Sequence, residues 1–151
     1  MTAKEVVREV ICLFKGGERW AKGGYMKTAD DRNVETYDGP QSEKAAKFCL
    51  LGAAHRVLGL KEFKRAREHD VLREFSALIR DSLPKAKREA FQANGNVSKG
   101  YVAASNSYEE DPGDYVVAFN DEGCTTFDQI ERVLAKALVR KSKRSKKQAT
   151  A

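Results

Sequence analysis

The chain has 151 residues, 41% of them hydrophobic and 33% charged, with a formal net charge of +6. That length fits one domain able to bury about two thirds of its unfolded surface without disulfides, and no apolar run approaches the ~18 residues of a membrane-spanning helix. The charge is uneven: six of the 28 basic residues fall in residues 140–151, RKSKRSKKQATA, so the remaining 22 balance all 22 acidic residues in residues 1–139.

The three cysteines, Cys12, Cys49 and Cys124, are odd in number and far apart, which suits a reducing cytoplasm better than a disulfide framework. With only His55 and His69 to assist them, no metal site is expected. The opening stretch MTAKEVVREVICLF carries acidic residues inside its apolar pattern, which argues against a signal peptide.

In chain order, Thr2 and Glu5 have the form of a capping box. Val6, Val7, Val10, Ile11, Leu13 and Phe14 recur at helical spacing up to the stop expected at Gly16 and Gly17. A polar connection from Glu18 to Pro40 follows, with Trp20, Tyr25, Met26 and Tyr37 expected to pack on something. Ser42 to Leu60 is apolar on nearly every side, so it is read as a buried central helix wrapped by that loop. Gly52 within it lets a neighbouring backbone come close.

From Lys61 a charged helical stretch carries the stripe Phe63, Val71, Leu72, Phe75, Leu78, Ile79 and Leu83 up to the break at Pro84. A short basic helix is predicted over Lys85 to Ala93. Gly95 to Gly113 is the least constrained part, with Tyr101 and Tyr108 as isolated anchors. Asp114 to Phe119 is β-branched and aromatic and reads as a short strand, delivering a turn at Asn120 to Gly123. Thr125 or Thr126 caps a last helix that packs through Phe127, Ile130, Val133, Leu134, Ala137 and Leu138. The expected architecture is mainly α, with α+β as the alternative: a compact single-domain helical bundle (1–139) around a buried central helix, with one minor short strand, long loops and a disordered basic tail (140–151).

Three stretches carry a resemblance. They are Trp20-Ala-Lys-Gly23 after the first helix, Phe48-Cys-Leu-Leu-Gly-Ala53 in the central one, and Phe119-Asn-Asp121 ahead of the Thr-led helix TTFDQIERVLAKAL. In this order they resemble a family of small uncharacterised proteins found mainly in bacteriophages and actinobacteria. The match covers most of residues 4–139, with residues 61–113 contributing little. The family's usual glycine after the acidic residues of the first loop is replaced here by Arg32 or Asn33. The resemblance implies a phage or its bacterial host as the setting, and no mechanism.

The candidate chemistry is thin, and no catalytic residue is assigned. Phosphate-loop, dinucleotide and zinc-protease patterns are absent, so no cofactor is expected. Trp20, Lys22, Cys49, Asn120 and Asp121 would make the best small-ligand pocket if brought together, although a turn and cap is the commoner role for Asn120 and Asp121 and core packing the commoner role for Cys49. Asp30, Asp31 and Glu35 read as a solvated loop, and the run Glu109 to Asp111 as a solvated acidic patch or a docking surface for a basic partner. In the tail, Arg140, Lys141, Lys143, Arg144, Lys146 and Lys147 could hold nucleic acid nonspecifically, with a salt slope near −5 if all six met phosphates. The functional expectation is a non-enzymatic cytoplasmic accessory protein, phage or phage-like, that binds a host protein or sequesters a small ligand. The alternatives are a nucleic-acid-associated protein using its tail, and a small enzyme using Cys49 or the Asn120-Asp121 turn.

Overall fold

A computed structural model describes residues 1–141, and the tail residues Lys143, Arg144, Lys146 and Lys147 lie outside the described part. Helix α1, Ala3–Phe14, starts with the expected capping box: Glu5 N donates to Thr2 Oγ1 at 3.2 Å and Thr2 N to Glu5 Oε2 at 2.8 Å. It buries Val6, Val7, Val10 and Phe14 and ends one residue before the glycines, with Lys15 in the left-handed conformation at φ 46°.

The loop that follows is tied into a small sheet. Strand β1, Met26–Lys27, pairs antiparallel with β2, Lys47–Phe48. Helix α2 is therefore shorter than the apolar run suggests: it spans Leu50–Val57, and the expected helix over Ser42 to Cys49 is replaced by a turn and β2. The reason is backbone pairing. Ala21 N donates to Phe48 O, Phe48 N to Arg19 O and Cys49 N to Tyr25 O, and a helix through 47–49 would have to give these up. Close approach fixes the arrangement, because a Cβ at Gly52 would lie 2.2 Å from the Tyr25 carbonyl oxygen.

Residues 61–69 are likewise not helical beyond a short 3₁₀ turn at Ala66–Glu68. His55 Nε2 accepts from Lys64 N at 3.0 Å and holds this segment extended, and His69 Nδ1 accepts from Leu72 N at 3.3 Å to start α3, Asp70–Ser82. Helix α4, Lys85–Ala93, matches its expected bounds. The segment read as least constrained holds a hairpin of β3, Lys99–Val102, and β4, Ser107–Glu110, with Tyr101 opposite Tyr108.

The expected strand at Asp114 to Phe119 is instead helix α5, Pro112–Asp121. Asp111 at the N-cap, Pro112 in the first turn and Asp114 beside it form a helix start. Tyr115, Val116, Phe119 and Asn120 then face inward at helical spacing, and that burial overrides the β preference of Val116 and Val117. Helix α6, Phe127–Val139, opens with Gln129 Oε1 accepting from Thr126 N at 3.0 Å.

The fold is mainly α, with two two-stranded antiparallel sheets. Helix α3 lies against α1, α5 and α6, and α2 packs on α1 and α5. Phe14, Phe48, Phe75 and Phe119 sit fully buried between them.

Replacing Gly52 by Ala drives a methyl into the Tyr25 carbonyl and is expected to cost about 2–3 kcal/mol in urea unfolding. Gly123→Ala meets nothing within 4 Å and should stay within about 0.5 kcal/mol of the parent.

Candidate functional site

Trp20, Lys22, Asn120 and Asp121 meet at the C-terminal end of α5. The helix turns Asn120 fully inward and leaves Asp121 exposed. Trp20 Nε1 donates to Asn120 Oδ1 at 2.7 Å, and Leu50 N donates to the same oxygen at 3.0 Å. Asn120 Nδ2 donates to Ala21 O at 3.0 Å and to Asp121 Oδ1 at 2.9 Å. Two acceptor positions and two N–H donors are what a primary amide possesses, so Asn120 is fully satisfied.

The neighbouring contacts close the group further. Gly23 N donates to Asp121 Oδ1 at 2.9 Å. The Lys22 ammonium donates to Glu122 O at 2.8 Å, where the end of α5 offers unpaired carbonyls and partial negative charge, and it lies 5.6 Å from the centre of the Trp20 ring. The Phe127 ring also lies against Trp20, with ring centres 5.8 Å apart. Asn120 joins Trp20 to Asp121, and Lys22 bonds the backbone at the end of α5, so the group forms a clasp around the loop.

Cys49 stands beside this clasp as the N-cap of α2, its Sγ accepting from Gly52 N at 3.2 Å. Burial pushes its thiol up to about 12, against a smaller opposing effect of the Gly52 N–H, so it stays protonated at neutral pH and is a poor nucleophile. His55 is completely buried. Its Nδ1 lies 2.9 Å from Leu51 O, which can only accept, so that nitrogen carries the proton and Nε2 accepts from Lys64 N. Burial pulls its pKa below 6.5. Neither ring nitrogen is left over to serve as a base for Cys49.

The loop carboxylates already have partners: Asp30 pairs with Arg32 at 2.9 Å and Asp31 with Lys47 at 2.6 Å. Among the described residues no group of three or more His, Cys, Asp or Glu could hold a metal ion, and no helix is long and apolar enough to cross a membrane. Of the tail residues, Arg140 and Lys141 are exposed and border a cavity of about 310 Å³ between α3 and the base of the hairpin, with Arg73, Arg80, Glu109 and Glu110.

Two surfaces escaped the sequence reading. A cavity of about 420 Å³ opens at the first turn of α5, bounded by Tyr25, Phe63, Arg65, Asp111 and Asp114. Asp111, expected from the sequence to be solvated, is instead buried as the N-cap of α5, and the Asp111-Pro112 pair, a helix start, is the signal that points to it. The second surface is the β3–β4 hairpin, where Tyr101 and Tyr108 are 53% and 73% exposed with ring centres 5.6 Å apart.

The model of the DUF6197 family, a family of unknown function, matches residues 1–140. The chain belongs to that family. No curated protein and no solved structure matches it. In this DUF6197 member the stretches around Trp20, Cys49 and Asn120 converge on one clasp, and the side chains that define them bond mainly to each other and to backbone.

Asn120→Ala would strand the Trp20 and Leu50 N–H groups and the Ala21 carbonyl. At about 1–3 kcal/mol for each buried unpaired group, a loss of roughly 3 kcal/mol or more is expected in denaturant unfolding. The depressed pKa of His55 also has a definite sign. As pH falls through 6.5 the unfolded chain takes up a proton that the folded chain refuses, so stability is present above that pH and declines below it until His55 protonates in the fold. The urea midpoint should fall between about pH 7 and pH 5, and in NMR titration the His55 ring should remain neutral below the usual histidine range.

Proposed function

We propose that this protein is a non-enzymatic accessory protein that acts by binding another protein, and that the β3–β4 hairpin makes the contact. The observation that carries this reading is the Tyr101–Tyr108 pair, displayed on a two-stranded sheet whose outer edges make no ladder among the described residues. Tyrosine gives a large amphipathic contact area with little side-chain entropy to lose, and together with arginine it dominates the energetics of protein interfaces. Arg73 and Arg80 line the cavity at the base of the same hairpin beside Glu109 and Glu110, which supplies charge of both signs for partner choice.

The closed clasp and the protonated Cys49 give no comparable support to an enzyme at those positions. The phage or phage-like setting implied by the sequence resemblance makes a protein of the bacterial host the expected partner.

The test is a photo-crosslinking amino acid placed at position 108 in the full chain expressed in bacteria, with the same group at Tyr37 as the control, a residue expected to pack but found 84% exposed and remote in sequence. A discrete adduct at 108 that is absent at 37 and is lost when Tyr101→Ala is added is the expected result. The same adduct pattern from both positions, or none from 108, overturns the assignment.

A further inference from the structure

The cavity at the first turn of α5 is separate from the hairpin face and has the make-up of a small-molecule site. At about 420 Å³ it falls in the lower part of the range of ligand pockets. Its inner wall carries Asp111, which is only 2% exposed. One of its carboxylate oxygens accepts from Gly113 N at 3.0 Å and caps α5. The other oxygen has no hydrogen-bond donor among the described residues, and no Lys, Arg or His nitrogen forms an ion pair with the group. Burial, with the neighbouring Asp114 adding to it, pushes the Asp111 carboxyl above its usual range against the opposing Gly113 N–H, Arg67 and Arg65, so a cation at the open oxygen would favour its charged form.

A second polar group faces the same space without a partner. The Tyr25 hydroxyl makes no hydrogen bond among the described residues, and Tyr25 lines the cavity together with Asp111, Asp114 and Arg65. The Tyr25 ring stacks on Phe63, centres 4.6 Å apart and 26° between planes, giving the cavity an aromatic wall backed by Leu51 and Val117. Charge is ordered by depth. Asp111 is buried, whereas Lys64 and Arg65 at the mouth are exposed. Arg67, whose guanidinium lies against Gly100 of the hairpin, also acts on Asp111, so two arginines stand near the buried carboxylate.

We propose that this cavity binds a small amino-acid-like zwitterion, its ammonium group held by Asp111 and Asp114 and its carboxylate by Arg65. An ammonium supplies the donors that the open Asp111 oxygen lacks and gains from the neighbouring aromatic faces. The cations at the mouth balance the carboxylates within and exclude a simple amine as the best fit. The side chain of the ligand lies along Phe63 and Val117. This assignment does not depend on the hairpin's partner.

The experiment is an NMR titration of the full-length ¹⁵N-labelled protein with glycine, L-leucine and L-phenylalanine at millimolar concentration. Phenethylamine and 3-phenylpropionate are the probes that each carry one of the two charges. At least one amino acid should shift the amides of Phe63, Arg65, Gly113 and Asp114, with both single-charge probes weaker. Asp111→Asn keeps the cap, since asparagine caps as well as aspartate, and should retain the thermal midpoint while weakening binding at least about tenfold. Tyr25→Phe, which removes only the hydroxyl, should weaken it several-fold. The proposal is overturned if no amino acid shifts these amides, if either single-charge probe binds as well as the zwitterion, or if folded Asp111→Asn binds as tightly as the parent.

Discussion

The side chain of Asn120 is the contact on which the rest of the architecture hangs. Helices satisfy their own backbone groups, but the polar loop after α1 cannot, and it has to be fastened to the core by polar atoms that are themselves buried. Asn120 does this by receiving the Trp20 indole and the Leu50 amide and donating to the Ala21 carbonyl. A neutral planar amide with donors and acceptors on one short side chain is suited to that position, since a carboxylate would face the Ala21 carbonyl without a proton and would carry a buried charge.

Fastening the loop in this way uses up the chemistry that a reader of the sequence would first suspect. Cys49 becomes a helix cap with a thiol pushed to about 12, and His55 becomes a buried brace between α2 and the segment after it. Lys22 neutralises the end of α5 and is no longer available to a ligand. The residues that look reactive are therefore the ones that set the geometry.

Helix α5 joins this structural end to the surfaces proposed for binding. Its ten residues span about 15 Å, with Asn120 at one end and Asp111 at the other. At the Asp111 end, Asp114 Oδ2 accepts from Ser98 N at 2.8 Å and Asp111 N donates to Ser98 O, so the hairpin is anchored to the same turn that walls the zwitterion cavity. The clasp holds α5 in place from one end, and the binding surfaces draw their positions from the other.

The sequence by itself determined the mainly α character, the capping box at Thr2, a threonine cap at 125 or 126, the bounds of α4 and the packing face of α6. These are local features, decided by neighbours three or four positions away. Only the tertiary structure decided that Ser42 to Cys49 is not helical, because its backbone pairs with residues 19 to 27. Likewise only long-range burial turned Asp114 to Phe119 into a helix where the β-branched run suggested a strand. The convergence of Trp20, Lys22, Asn120 and Asp121 was stated in the sequence as a conditional pocket. That Asn120 bonds Trp20 and Asp121 while Lys22 bonds the end of α5 depends on contacts between segments about 100 positions apart, and that Tyr25 and Asp111 line one cavity depends on the loop meeting the start of α5. No periodicity along the chain encodes such contacts.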